Sequence, residues 1–287
     1  MNSTWALPHL RIMGAPSLAL DNDDLAREYE RNSAGRQLES GRHLVEQLGL
    51  VRGDSVLDIG CGTGLLAEHI ADIVGPEGQV IGIDPLPLRI EIAREKIRPN
   101  LRFEVGDAYE LEGLRDQTFD AVVMNAVFHW LPEKTQPLLE AARVLRPGGR
   151  IGISTQLKEH QSRLKEIVAK VLSEPPYDRY PRGRPQMTFS VDAEEMRAFF
   201  EMTGFMPTSI YARDLTRAHP SAEAAIRFAE ASTFGNLLGH LPPELKGRAR
   251  VTIRQRLQAL VTADGIVQHS QRRRRHLAIP VQTFCSP

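Results

Sequence analysis

The stretch SVLDIGCGTGLLAEHI, Ser55 to Ile70, sets a short apolar run against a helix-like one and joins them by a turn with glycine at 60, 62 and 64. A strand that opens into a helix through such a turn lets backbone approach a ligand closely, because glycine tolerates left-handed backbone and leaves no Cβ in the way. In a doubly wound sheet, the turn after the first strand is where a nucleotide-like ligand sits.

The sequence around this turn alternates strand and helix. LLAEHIADIV carries Leu66, Ile70 and Ile73 at helical spacing and ends at Pro76–Gly78, after which QVIGID reads as a strand. PLRIEIAREKI and LRFEVGD repeat the plan, and FDAVVMN, TQPLLEAARVLRPGG and RIGIS continue it as strand, helix and strand. Near-continuous apolar strands separated by amphipathic helices imply a parallel sheet covered on both faces. Two helices precede the turn, the second with Leu38, Gly41, Leu44, Val45 and Leu48 on one stripe.

After Ser154 the rhythm changes. A helix through QLKEHQSRLKEIVAKVL, a Pro-rich loop with Tyr177, Tyr180 and Arg182, a capped helix DAEEMRAFFEMTG, a strand PTSIYARD, a long helical tract and a last strand HLAIPVQTFC follow. Residues 1–20 show no sustained period and read as a flexible arm. Residues 21–287 read as a single domain with helices over 21–50, a sheet core over 51–154, and a helical lid drawn from 173–189 and 215–276.

Composition narrows the partners. The chain has 287 residues, 41% of them hydrophobic, with 36 Lys+Arg balanced by 36 Asp+Glu. That suits one large globular domain and gives no electrostatic footprint for nucleic acid or an anionic membrane, so a small-molecule partner fits better. With two cysteines, no membrane-length apolar run and no signal-peptide order at the start, a cytoplasmic protein is expected. No Cys or His spacing suggests a metal. The run Arg272–Arg275 reads as a solvated turn rather than an import signal.

Which ligand the turn holds depends on the acid in front of it. Gly62, Gly64 and Ala67 satisfy the dinucleotide pattern G-x-G-x-x-A, which keeps an NAD(P)-dependent dehydrogenase open. Asp58 argues the other way: a carboxylate at the strand's carboxyl end would oppose a pyrophosphate but favour a phosphate-free ligand with positive charge. S-adenosyl-L-methionine, with its sulfonium and ammonium groups, is such a ligand. Asp84 ends the second strand, where an acid accepts from both ribose hydroxyls, and Asp107 ends the third, where it can accept from the adenine amine.

In this order, VLDIGCGTG, VIGID, VGDA, FDAVVMNAVFHWL and LRPGGRIGIS resemble the motifs of the class I S-adenosylmethionine-dependent methyltransferases. The resemblance implies a Rossmann-like, doubly wound α/β fold whose seven-stranded sheet runs 3-2-1-4-5-7-6 with strand 7 antiparallel. It places Asp58, Gly60, Cys61, Gly62, Thr63 and Gly64 at the methionine moiety, Asp84 and Pro85 at the ribose, and Gly106, Asp107 and Ala108 at the adenine. Asn125, Ala126 and Trp130 would approach from the other side. NAVFHWL and YERNSAGRQLESG are similar to a small-molecule subset containing natural-product, trans-aconitate and juvenile-hormone-acid methyltransferases, which adds Tyr29 and Ser33 as contacts from a covering helix.

Methyl transfer from a sulfonium requires alignment, exclusion of water and, for some acceptors, removal of a proton. His129 is the candidate base, with a hydrogen-bonding role equally open. Tyr177, Tyr180 and Phe228 are candidate acceptor contacts. O-methylation is favoured, N-, C- or S-methylation stays open, and a methyltransferase-like protein that binds the cofactor without transferring methyl is the other alternative.

Overall fold

The structure, a computed structural model, describes residues 17–158, 163–180, 188–215, 218–261, 267–268 and 274–283. Two helices lead in: α1 (Asp23–Tyr29), capped by the Asn22 side chain on the Leu25 N–H, and α2 (Gly35–Leu48), which ends at left-handed Gly49. The five residues between them, Glu30–Ala34, form a π-helical turn, so the two helices run into each other without a loop.

The scaffold that follows is β1 (Ser55–Ile59), α3 (Leu65–Val74), β2 (Gln79–Asp84), α4 (Pro87–Arg94), β3 (Leu101–Val105), β4 (Phe119–Asn125), α5 (Thr135–Val144) and β5 (Leu145–Gln156). Strands β3-β2-β1-β4-β5 lie side by side and parallel. Strand order reverses direction between β1 and β4, which opens a crevice at their carboxyl ends. The PGG tract expected to end α5 instead lies inside β5. It is accommodated where the β4–β5 register jumps from Phe119↔Leu145 to Ala121↔Arg150, with Gly148 at φ +77°.

The remaining elements are α6 (Arg163–Leu172), α7 (Ala193–Met202), β6 (Phe205–Pro207), β7 (Tyr211–Leu215), β8 (Ala218–His219), α8 (Ala222–Ser232), α9 (Pro243–Gln258), β9 (Val267–Gln268) and β10 (Arg274–Thr283). Strand β10 runs antiparallel between β5 and β6. The tract PTSIYARD, expected as one strand, is split: β6 pairs with one end of β10 and β7 with the other, so the sheet has eight strands among the described residues.

The tract 215–276, expected to be helical, also begins and ends in strand. Leu215 closes β7, Arg274 opens β10, and β8 pairs with β9 as a separate two-stranded ladder. Residues 17–20 of the expected arm are docked: the Asn236 amide and the Ser17 backbone exchange hydrogen bonds of 2.9 Å, and Leu20 lies against Gly235 and Gly239.

Three apolar clusters hold this together. Residues of α2, α3 and α4 pack on one face of the sheet around Leu44, Ile70 and Ile90, and α5 and α7 pack on the other around Leu138, Phe200 and Phe205. The third cluster joins α6, α8 and α9 through Val168, Ile226 and Ile253, forming a helical layer of its own. Helix α2 lies close to both α3 and the sheet, since a Cβ on Gly41 would stand 2.6 Å from Leu66 and one on Gly152 would stand 2.7 Å from Leu48.

Candidate functional site

The turn after β1 is built as its sequence demands. Gly60, Gly62 and Gly64 all have positive φ, +73°, +56° and +87°, which glycine alone adopts without strain. A Cβ at Gly60 would fall 2.2 Å from Val127, and one at Gly64 2.7 Å from the Phe103 ring. Both glycines therefore let neighbouring elements close in, while Gly62 faces Tyr29, whose ring would lie 3.3 Å from its Cβ. The N-terminal helix thus covers the turn, with Tyr29 at its near end and Ser33, fully buried, in the π turn that follows.

Three acids stand at or just beyond the carboxyl ends of β1, β2 and β3. Asp58 is 1% exposed, and burial, reinforced by the nearby Asp84 charge, pushes it up to about 7. Its Oδ2 and the hydroxyl of Thr63 are buried without a hydrogen-bond partner among the described residues. Asp84 accepts from the Gly62 N–H at 2.9 Å and the Leu86 N–H at 3.0 Å, so it ties the glycine turn to the start of α4. Burial raises it, while the Arg89 cation and those two N–H donors oppose the rise. Asp107, half-buried beside Gly106 and buried Ala108, is raised by burial and accepts from the Tyr109 N–H at 2.7 Å. Pro85 is exposed, and Cys61 is buried beneath the turn, its thiol pushed well up by burial.

On the far side of the crevice the chain leaves β4 under strain. Ala126 sits at φ +61°, held by its N–H donating to the Ser154 carbonyl at 2.9 Å. The Asn125 amide is engaged within the protein, donating to the Gln37 carbonyl at 2.9 Å and accepting from the Ser154 hydroxyl at 2.5 Å. It fastens α2 to the sheet. His129 follows on a 3-10 turn, Phe128–Trp130, and is 8% exposed with Nδ1 at 3.3 Å from the Thr155 hydroxyl. Lys134 holds that turn by donating to the carbonyls of Phe128 and Leu131, and its burial lowers it to about 7.

A side chain that the sequence reading passed over links the two sides. Arg89, in the first turns of α4, is 2% exposed, and its guanidinium lies over the Tyr29 ring at 4.1 Å and the Phe234 ring at 4.8 Å. It donates to the Ala231 carbonyl at 2.8 Å and pairs with Asp21 at 3.3 Å, both side chains 3% exposed. Phe234 in turn meets Trp130 at a tilt, ring centroids 4.9 Å apart, and Trp130 meets His129 likewise at 5.0 Å. One chain of contacts therefore runs from the glycine turn through Tyr29, Arg89, Phe234 and Trp130 to His129. Burial of its phenol pushes Tyr29 up to about 12, against the pull of the Arg89 cation.

The candidate acceptor contacts are dispersed. Tyr177 packs into the apolar centre of the helical layer, and Tyr180 is exposed. Phe228 meets His219 edge-on at 5.0 Å, beneath the Arg36 guanidinium at 5.3 Å. Arg182 lies outside the described residues.

Residues 56–149 match the family described as "Methyltransferase domain". An arsenite methyltransferase of Halobacterium salinarum is 34% identical over 145 residues, 49% of this chain and 36% of that protein. A trans-aconitate 2-methyltransferase of Deinococcus radiodurans is 38% identical over 98 residues, 34% of this chain and 36% of that protein. The chain thus spans only about a third of the length of these curated relatives. A crystal structure described as a putative methyltransferase from Bacillus halodurans superposes over 85% of this chain and 98% of its own with TM-score 0.56 and 18% identity, which shows a shared fold.

Proposed function

We propose that residues 56–149, which match the methyltransferase-domain family, form a class I S-adenosylmethionine-dependent methyltransferase domain, and that the chain is an enzyme methylating a small-molecule acceptor with S-adenosyl-L-methionine as cofactor. The observation that carries the reading is the unsatisfied pair at the turn. Buried polar atoms are almost always hydrogen-bonded, so Asp58 Oδ2 and the Thr63 hydroxyl mark a place for a polar ligand, and the acid gives that place a preference for positive charge. The dinucleotide alternative would set a pyrophosphate against the same carboxylate.

In this reading Asp58, Thr63 and the Gly60–Gly64 backbone hold the methionine end, Asp84 the ribose and Asp107 with Ala108 the adenine, while Tyr29 closes over Gly62. When bound, the cofactor supplies a methyl group on a sulfonium that is lost by in-line displacement. The protein's part is alignment and dryness. The layer of α6, α8 and α9, joined to the carboxyl side of the sheet by the Trp130–Phe234 ring contact and by Arg89, serves as the lid. His129 sits where the lid meets the end of β4 and contacts the acceptor.

Asp84→Ala is expected to weaken S-adenosylhomocysteine binding by about 1.5–3 kcal/mol, the loss of a charged hydrogen-bond acceptor. Isothermal titration measures it, and an unchanged affinity would move the ribose elsewhere. His129→Ala is expected to lower kcat/KM for the acceptor about 10- to 100-fold with cofactor affinity intact. An equal loss in cofactor affinity would take His129 out of the acceptor site. The acceptor itself is found by screening small molecules for S-adenosylhomocysteine release and locating the added methyl by mass spectrometry. Product formation from NAD without S-adenosylmethionine would overturn the reading.

A further inference from the structure

We propose that the side-chain oxygen of Gln37, on α2, accepts an N–H of the cofactor's ammonium group, so that a helix outside residues 56–149 reads the amino-acid end of the ligand. The inference deepens the cofactor site proposed above and rests on it.

Strand alternation and the run of α2 put the residue there. Successive strand side chains point to opposite faces. Val56 of β1 and Ala121 and Val123 of β4 share an apolar cluster with Leu44 and Leu48 of α2. Asp58 and Asn125, in step with them, therefore lie on the face that α2 covers, and the register sets Asp58 beside Val123. Helix α2 runs against the direction of β4. Its Gln37 carbonyl accepts from the Asn125 amide at 2.9 Å, at the end of the strand. Its Leu48 carbonyl accepts from Arg150, whose register partner is Ala121 near the strand's start. Gly41, one turn beyond Gln37, is wedged between Leu66 of α3 and that same amide, 2.6 and 2.9 Å from where its Cβ would stand. Side chains on a helix lean toward its N-terminus. From Gln37 that direction leads past the end of β4, over the crevice between β4 and the β1–α3 turn.

The chemistry of the atoms left bare there is uniform. The side-chain oxygen of Gln37 is buried with no hydrogen-bond partner among the described residues, as are Asp58 Oδ2 and the Thr63 hydroxyl. Buried polar atoms are almost always bonded, and all three of these can accept. An ammonium brings three N–H donors and no acceptor, whereas a carboxylate in the same place would meet Asp58 with like charge. Asp58 supplies the attraction. Gln37, being neutral, supplies direction, and its three side-chain torsions let the amide turn to meet the ligand.

The test is isothermal titration of the full chain at pH 8 with S-adenosylhomocysteine and with its deaminated analogue, in which hydrogen replaces the ammonium. The wild type is expected to bind the first about 10- to 100-fold more tightly. Gln37→Leu should lose about tenfold for S-adenosylhomocysteine and little for the analogue, and Gln37→Glu, which keeps an acceptor, should retain the preference. Equal losses for both ligands, as a purely structural role or a contact to the carboxylate would produce, overturn the proposal. So does a preference in Gln37→Leu equal to that of the wild type. Gln37→Ala gives the same comparison where the leucine variant folds poorly. A wild type that binds both ligands equally overturns the proposal and leaves the methyl-transfer reading standing, and one that binds neither defeats that reading and this proposal with it.

Discussion

Arg89→Met is expected to cost about 3–5 kcal/mol and to release the N-terminal helix and the helical layer from the sheet, the range for removing one partner of a buried ion pair. Asp21 would be left with its carboxylate buried beside an apolar side chain, and its Oδ1 already lacks a partner among the described residues. The Ala231 carbonyl would lose its donor, and the Tyr29 and Phe234 rings would lose the cation between them. Those groups lie on or beside α1 and α8, so the damage concentrates where α1, α4 and α8 meet. Hydrogen exchange should show faster opening of α1 and α8 while β1, β2 and β4 stay protected. Cofactor affinity should fall at least tenfold, because Asp84 loses the cation that favours its ionised form. Arg89→Lys should restore little of either, since an ammonium cannot stack between two rings and donate in two directions as a planar guanidinium does. Exchange rates and affinity that match the wild type would show that the helical layer docks without Arg89.

The sequence disclosed the parts of this arrangement that are local. The glycines at 60, 62 and 64, the acids at 58, 84 and 107 and the apolar runs of β1 to β5 owe their meaning to near neighbours, and backbone stereochemistry allows few alternatives. Arg89 was hidden by its position. On a helix face of a chain with 36 basic residues it reads as a solvated charge, and its partners lie 68 residues before it and 142 after it. Nothing in periodicity reports such a contact.

Other misses have similar causes. The π turn at Glu30–Ala34 contains neither glycine nor proline, so two helices were legible but not their direct junction. Pro-Gly-Gly at 147–149 is a sound helix terminator, yet here the helix has already ended and the tract serves as an irregularity within β5. The amide of Asn125 also donates to Gln37 and accepts from Ser154, a tie between α2 and the sheet that the motif around it does not announce. The split of PTSIYARD into β6 and β7 follows from β10, which is long enough to pair with both pieces, a length the sequence of either piece cannot show.

Asp58→Asn is expected to act in opposite directions on the empty and the liganded protein. In the folded chain the Asp58 carboxyl is raised from the ordinary 3.8 to about 7. Between those values the unfolded chain is ionised while the folded chain still holds the proton. Stability of the ligand-free protein therefore falls as pH rises from about 4 to about 7, by roughly 4 kcal/mol at about 1.4 kcal/mol per unit, and is level in this respect above the folded value. Asn has no proton to lose, so the variant should lack this slope and be the more stable of the two at pH 8 in chemical denaturation. A bound cation reverses the balance. It favours the carboxylate, so wild-type binding of S-adenosylmethionine should release a proton below pH 7 and tighten up to about tenfold per pH unit as pH rises toward that value. In Asp58→Asn the affinity should be lower at pH 8 and nearly flat with pH. Calorimetry in two buffers of different ionisation enthalpy counts the protons directly. If wild-type binding takes up no buffer heat and shows no pH dependence between 5 and 8, Asp58 does not face the cationic end of the cofactor, and the buried carboxylate needs another partner.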